Sequence, residues 1–383
     1  GVGGSLAAVL LENDITAELG DFTESNARHK TSVAANSEEN IDSFAVGGTG
    51  AGTAGVAGSL TLRIMDVDTH ARIGRNSELN QNSAFAVSGQ SIEVSSSDKV
   101  KVLGISGAAA AGGTAGVGGS LDLTVVKNRV IANIDADAKV YSEDGLTDAD
   151  GVLVRSDSEK VIDSLSIAGT GAGTAAVAGA VSVVSVGAKF EDDVQNHLTG
   201  KDTEGNDVST GDYVDQKGEA GTGGQFGSIG DIEFTDSNGN TTSIEDFIED
   251  KSSISVSGDM NQTSNEPLTD TAAYIGDGAE VKSKGEVNVL AKDALTVNMS
   301  AGSTMGAGTA AVGGAGAFML SNNTTRAFIG DNARIDAKKL VSVNAESSER
   351  IIDATVSLGG AGTAAVAGSL LLNVINLSLI HIS

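Results

Sequence analysis

Cysteine and tryptophan are absent from the 383 residues, proline occurs once, at Pro267, and there are only three tyrosines and nine phenylalanines. Without cysteine there are no disulfide staples and no thiolate metal sites. With aromatics at 3%, a core here must be thin and filled by Val, Ile, Leu and Ala, which favours regular, closely spaced layers over a thick globule. The near absence of proline suits a chain whose strands have neighbours on both sides, because each backbone N–H is then needed as a ladder donor. Basic residues are also few: 24 against 51 acidic, a net charge of −27. Such a surface repels nucleic acid and anionic lipid, so no nucleic-acid partner is expected. The N-terminus lacks a charged stretch followed by an apolar run and a small-residue cleavage site. It opens inside a repeat, and the chain reads as a piece of a longer one.

What is abundant is glycine, 51 residues of it, much of it in one recurring unit. "GTGAGTAGVAGSLTL" around Thr53 returns as "AAAGGTAGVGGSLDL" around Thr114, "GTGAGTAAVAGAVSV" around Thr174, "TMGAGTAAVGGAGAF" around Thr309 and "GGAGTAAVAGSLLL" around Thr363. The anchor threonines lie 61, 60, 135 and 54 residues apart, a period of 54 to 61 broken once by an insertion. A second element follows each unit ("THARIGRNSEL", "VIANIDADAKV", "TAAYIGDGAEV", "TRAFIGDNARI"), and a third comes next ("SIEVSSSD", "GVLVRSDS", "EVNVLAKD", "VSVNAES"). Each period therefore holds three strand-like pieces separated by turns.

Within the third copy one set of alternate residues reads Leu165, Ile167, Gly169, Gly171, Gly173, Ala175, Val177, Gly179, Val181 and Val183. The other set is uniformly small, from Ser164 to Ser182. A period of two is a strand signal. In the fourth copy the apolar phase slips by one residue between Val297 and Ala310, which predicts a bulge or bend. The "IGDN" and "IGDG" pieces tolerate positive φ and predict tight corners. With no helical periodicity, the predicted fold is all-β: a parallel β-solenoid with Gly/Ala-rich long strands, two or three coils per period, aliphatic ladders inside and polar side chains outside.

Ser166–Val186 is 21 residues without a charge, long enough for a membrane helix. Its weak hydrophobicity, its glycines and its period-two segregation argue against that, and the shortage of aromatics argues against a membrane β-barrel. No stable membrane insertion is expected. The small Ser/Thr/Ala face has two readings: packing against another small-residue sheet, or a flat recognition face.

The domain plan is solenoid repeats over 1–190, an acidic Gly/Asp-rich insertion over 191–268, and solenoid repeats again over 269–376. Within the insertion, residues 201–251 carry 13 Asp or Glu against three Lys, either a solvated loop or a binding excursion from the wall. The tail 377–383, "LSLIHIS", departs from the repeat, resembles translated sequencing-adapter sequence and is expected to be non-native. Catalytic signals are sparse. His29, His70, His197 and His381 are scattered, and nucleophile-elbow, P-loop and HExxH patterns are absent. Neighbouring carboxylates occur at Asp135 and Asp137, Asp148 and Asp150, and Glu191 to Asp193, with no spacing that selects a pair. No catalytic, cofactor-binding or metal-binding residue is assigned, no cofactor is expected, and calcium in the turns lacks the register that makes such sites strong.

The order "GAGTAAVAGSL", then "AxIGDNAxI", then "VxVxAxS" resembles the repeat region of filamentous-haemagglutinin-like surface proteins, including leukotoxin-type filamentous adhesins of Gram-negative bacteria. The resemblance covers most of the chain outside roughly 190–268. It implies a right-handed parallel β-helix, export across the outer membrane, an extracellular or cell-surface location, and a role in adhesion or host-cell toxicity. The functional expectation is a non-catalytic shaft and adhesion segment. Its partners would be host cell-surface or matrix glycans and proteins, with lateral self-association. A carbohydrate-active β-helix enzyme and a membrane-inserting toxin segment are the alternatives.

Overall fold

The computed structural model describes residues 1–143, 151–187 and 269–382, together with the backbone of four short strands between the last two of these spans. The chain is a right-handed parallel β-solenoid. The first coil is β1 (Val2–Leu19), β2 (Glu24–Ser25) and β3 (Lys30–Ala51); the second is β4 (Ala54–Ile73), β5 (Glu78–Leu79) and β6 (Ser91–Gly112). The third is β7 (Ala115–Ile134), β8 (Lys139–Ser142) and β9 (Val152–Ala172). The fourth begins with β10 (Ala175–Val186). Then come two short antiparallel pairs, β11 (Gly200–Lys201) with β12 (Asp207–Val208) and β13 (Glu233–Thr235) with β14 (Thr241–Ser243). The coil resumes with β15 (Thr269–Ile275), β16 (Glu280–Ser283) and β17 (Val287–Ala307). The fifth is β18 (Ala310–Ile329), β19 (Arg334–Ala337) and β20 (Val341–Ala361), and β21 (Ala364–Ile382) opens a sixth.

Equivalent strands stack in parallel into three sheets. Sheet A holds β1, β4, β7, β10 with β15, β18 and β21; sheet B holds the short β2, β5, β8, β16 and β19; sheet C holds β3, β6, β9, β17 and β20. The chain leaves sheet A after Gly187 and re-enters at Thr269 on the same level, since β10 and β15 both pair with β7 below and β18 above. The 201–251 segment lies, apart from its short strands, outside the described residues. At the other end β21 runs in register with β18 through Leu377 and Ser378.

One period makes one coil, not the two or three expected. Apart from the interrupted pair β10 and β15, strands of 18 to 22 residues in sheets A and C span about 60–70 Å at about 3.3 Å per residue. They are long enough to use up a whole period in two passes and one short corner strand. The cross-section is a flattened wedge, with sheet B as its blunt end and the Gly-Thr bend, as at Gly52 and Thr53, as its thin end. Ser166–Val186 is thus the end of β9, the bend and β10, which sets aside the membrane-helix alternative.

Packing changes along the wedge. At the blunt end Ile73, Leu79, Ile92, Ile134 and Val154 belong to one aliphatic core, and Met65, Val102, Ile162 and Leu295 to a second one midway. Towards the bend only small residues remain, such as Ala57 with Ala108 and Ala168 with Ala178. The sheets approach there to backbone contact: a Cβ on Gly47 would lie 2.3 Å from the carbonyl oxygen of Gly58, and one on Gly55 would lie 2.3 Å from that of Ala111. The small face is the inner one, as the packing reading required.

The bulky alternate residues therefore point outwards near the bend. Phe44, Val46 and Ile167 are exposed, and the expected polar exterior holds only farther from the thin edge. Of the two readings of the phase slip between Val297 and Ala310, the bend is present, at Gly308 and Thr309 between β17 and β18, and the bulge is not. β17 pairs residue for residue with β9, with Val297 beside Ile162 and Met299 beside Ser164, and has no bulge. Val297 and Met299 are inner residues and Leu165 and Ile167 outer ones, so apolar identity alone misled the phase assignment.

The two classes of glycine are separable by mutation. Gly47→Ala should lower unfolding free energy by about 2–3 kcal/mol, because overpacking against a rigid carbonyl cannot relax. Gly171, whose Cβ would meet nothing within 4 Å, should gain about 0.5–1 kcal/mol as Gly171→Ala. Urea denaturation of both variants checks this, and equal effects would refute the inner–outer assignment.

Candidate binding surface

The corner from sheet A to sheet B is built five times by one local rule. Its third residue is in the left-handed region: Phe22 (φ 57°), Asn76 (54°), Asp137 (57°), Gly278 (68°) and Asn332 (56°). These are the corners that the Gly-Asp-Asn signals predicted. Asp21 Oδ1 accepts the backbone N–H of Arg75 at 2.9 Å and Asp277 Oδ1 that of Asp331 at 2.8 Å, so carboxylates tie successive corners.

Four residues beyond the first corner residue, sheet B presents an outward row in register: Glu24, Glu78, Lys139, Glu280 and Arg334. Lys139 Nζ lies 2.8 Å from Glu78 Oε1, and that contact raises the Lys139 pKa. With Asn76 and Asp137 the middle of this row lines a shallow depression. A second depression adjoins it, lined by Asn80, Gln81, Ser83, Tyr141 and Glu143. Here the Tyr141 hydroxyl and Lys284 both donate to Glu143. The lysine hydrogen bond holds the Glu143 carboxyl below its ordinary range, while partial burial followed by the Glu143 contact pushes the phenol up. The longer repeats carry extra residues at this same edge, among them the 3-10 turn Ser83–Phe85, and per-repeat insertions are where solenoids place binding loops. Open, polar and repeated, the edge can hold hydroxyl-rich or charged ligands by hydrogen bonds.

Of the residues singled out from the sequence, only Asp137 among the described ones belongs to this edge surface. Asp135 is taken up by Arg72 at 3.1 Å and does not converge with Asp137 on a common point. His29 is exposed, while His70 is buried with Nε2 donating to Asn133 Oδ1 at 2.7 Å. Asp148, Asp150, Glu191 to Asp193 and His197 lie outside the described residues. Among the described residues no three His, Asp or Glu side chains are grouped to hold a metal ion. The edge row was detectable in the sequence as a charged residue at a constant offset from each corner.

Two polar bands cross the interior. In one, Arg63 is fully buried: Nε donates to Thr124 Oγ1 at 3.0 Å, Nη1 to Ser43 Oγ at 2.6 Å, and Nη2 pairs with Asp122. Gly104 faces it across the core and makes room for the guanidinium. In the other band Lys160 pairs with Asp293 and donates to Ser158 Oγ at 2.7 Å. Beside them Asn13 Nδ2 donates to Glu39 Oε1 at 2.7 Å. Burial, reinforced by Glu39, pushes the Asp98 carboxyl up to about 8. Burial also raises Asp66, Glu349 and Asp353.

Comparison with protein-family models, with curated proteins and with solved structures finds no match to this chain.

Asp98 holds its proton more tightly folded than unfolded, where its pKa is near 3.9. Its contribution to stability is complete below about pH 4 and is lost as pH rises through about 8. The chain should melt at a higher temperature at pH 5 than at pH 8.5, and Asp98→Asn should remove most of that difference. A profile that Asp98→Asn leaves unchanged would contradict a buried Asp98 that holds its proton.

Proposed function

We propose that this chain is a non-catalytic shaft and adhesion segment of a large bacterial surface protein, exported to the cell surface or beyond, which binds extracellular glycans or matrix proteins along its sheet B edge. The observation that carries this reading is repetition. One cross-section recurs in register through five coils, and the same polar edge is presented on each level. Each added coil lengthens a solenoid by about 4.8 Å without changing its walls, so reach grows with repeat number. Repeated weak contacts along one edge bind by avidity, each later contact being made at high effective concentration. The resemblance of the repeat order to filamentous-haemagglutinin-like proteins supports the same reading, as does the acidic surface, which disfavours nucleic acid.

The test is surface binding of the full chain to arrayed glycans and immobilised matrix proteins. Binding should be at least tenfold stronger on dense than on sparse ligand, and Glu78→Ala, Lys139→Ala and Glu280→Ala combined should lower it about tenfold. Release of new reducing ends from a bound polysaccharide would overturn the non-catalytic reading in favour of a carbohydrate-active enzyme. Binding indifferent to the triple variant would remove the edge from it.

A further inference from the structure

The outer face of sheet C near the bend has a pattern that the fold itself does not need. One outward ladder runs Val46, Gly107, Ile167, Gly302, Val356 through the five coils. It alternates a bulky aliphatic with glycine on every level. Val46 is 71% exposed, Ile167 47% and Val356 53%. The glycines between them are not forced. A Cβ on Gly107 would meet only Val46 methyls at 3.7 and 3.8 Å, one on Gly302 would meet nothing closer than 3.9 Å, and neither has a positive φ. Glycine inside a strand weakens it, and where no internal contact demands it, it marks a place where another backbone or ligand comes close.

We propose that this face docks a second copy of the chain, knobs of one ladder seated in the glycine holes of the other. The occupant is identified by spacing. Bulky residues recur every second strand, about 9.6 Å at about 4.8 Å per strand, and a partner that stays in step over several levels must carry that repeat. A two-fold axis between the levels of Gly107 and Ile167 places Ile167 over Gly107 of the second copy and Val46 over its Gly302. Charge agrees with this. From Ser43 to the bend, and in the equivalent stretches of the other coils, the outward side chains nearest the bend are uncharged, so two chains of net charge −27 meet there without opposing like charges. The four overlapping strands by nine residues give about 570 Å² per copy, about 1,100 Å² in all, above the ~1,000 Å² that a specific interface should clear, with sheets about 10 Å apart. Midway along the outer face of sheet A Leu62, Ile64, Leu123 and Val125 are buried; nearer the bend Val2, Val312 and Val366 are exposed, but that ladder has valine on every level, Val2, Val56, Val117, Val177, Val312 and Val366, and so has no holes between its knobs. Glycans are a poor match, because Phe44 is the face's sole aromatic ring and it offers few side-chain donors. This inference does not depend on the adhesion reading.

The experiment is analytical ultracentrifugation of the full chain from 1 to 100 µM, with and without the hole-filling variants Gly107→Ile and Gly302→Ile and the charge variant Ile167→Asp. A concentration-dependent dimer is expected. Each variant should weaken it at least tenfold while far-UV circular dichroism and melting temperature stay as in the parent chain. A monomer throughout the range would overturn the proposal. So would association that all three variants leave intact, which would place it at the open strand edges. A monomer that floats with neutral phosphatidylcholine vesicles, and stops doing so as Ile167→Asp, would assign the face to lipid instead.

Discussion

Close approach of two long parallel sheets is the constraint from which the rest of the structure follows. Near the bend the sheets meet with little more than alanine and glycine between them, and Gly47 and Gly55 face carbonyl oxygens that leave no room for a Cβ. That closeness decides which face is inner and forces the bulky alternate residues outwards. It also concentrates the aliphatic core towards the blunt end, where sheet B holds the long sheets apart. A thin edge with exposed Val, Ile and Phe is then a result of packing and not a lapse in it.

The buried polar bands limit the freedom that such a simple pattern would otherwise have. Strands made of Gly, Ala, Ser and Thr specify register weakly. A one-residue slip would turn Arg63, Asp122, Lys160 and Asp293 outwards and break bonds that span two or three coils. Removing one partner of such a pair leaves a buried charge and costs about 3–5 kcal/mol. The bands therefore weigh against misregistered stacks even where their net contribution to stability is small. Burial in these bands makes a carboxyl hold its proton more tightly, with Asp98 the clearest case.

The outside of the solenoid divides along the wedge. The blunt end carries ion-paired, hydrogen-bonding side chains repeated at the corner, suited to extracellular ligands on the reading proposed above. The thin end carries uncharged ridges and glycine holes suited to another copy. Both depend on the same stacking, since a row exists only because each coil places equivalent residues above one another. A solenoid of this kind gains surface by repetition and not by a single pocket.

Much of this was legible in the chain itself. Period-two alternation, the three-part order and the Gly-Asp-Asn corners determined parallel stacked strands and the turns between them, because side-chain direction and left-handed backbone preferences are local properties. The offset of Glu78, Lys139 and Glu280 from their corners was equally present, though only their alignment in sheet B makes it a surface. Tertiary structure alone decided that one period closes one coil, that Val297 lies inside while Ile167 lies outside, and that Arg63 fits opposite Gly104. Alternation states that a strand has two faces. Which of them is buried depends on how near the opposing sheet comes, and that distance is set by residues across the bend, as Gly58 is from Gly47, or at the other end of the same coil, as Ala111 is from Gly55.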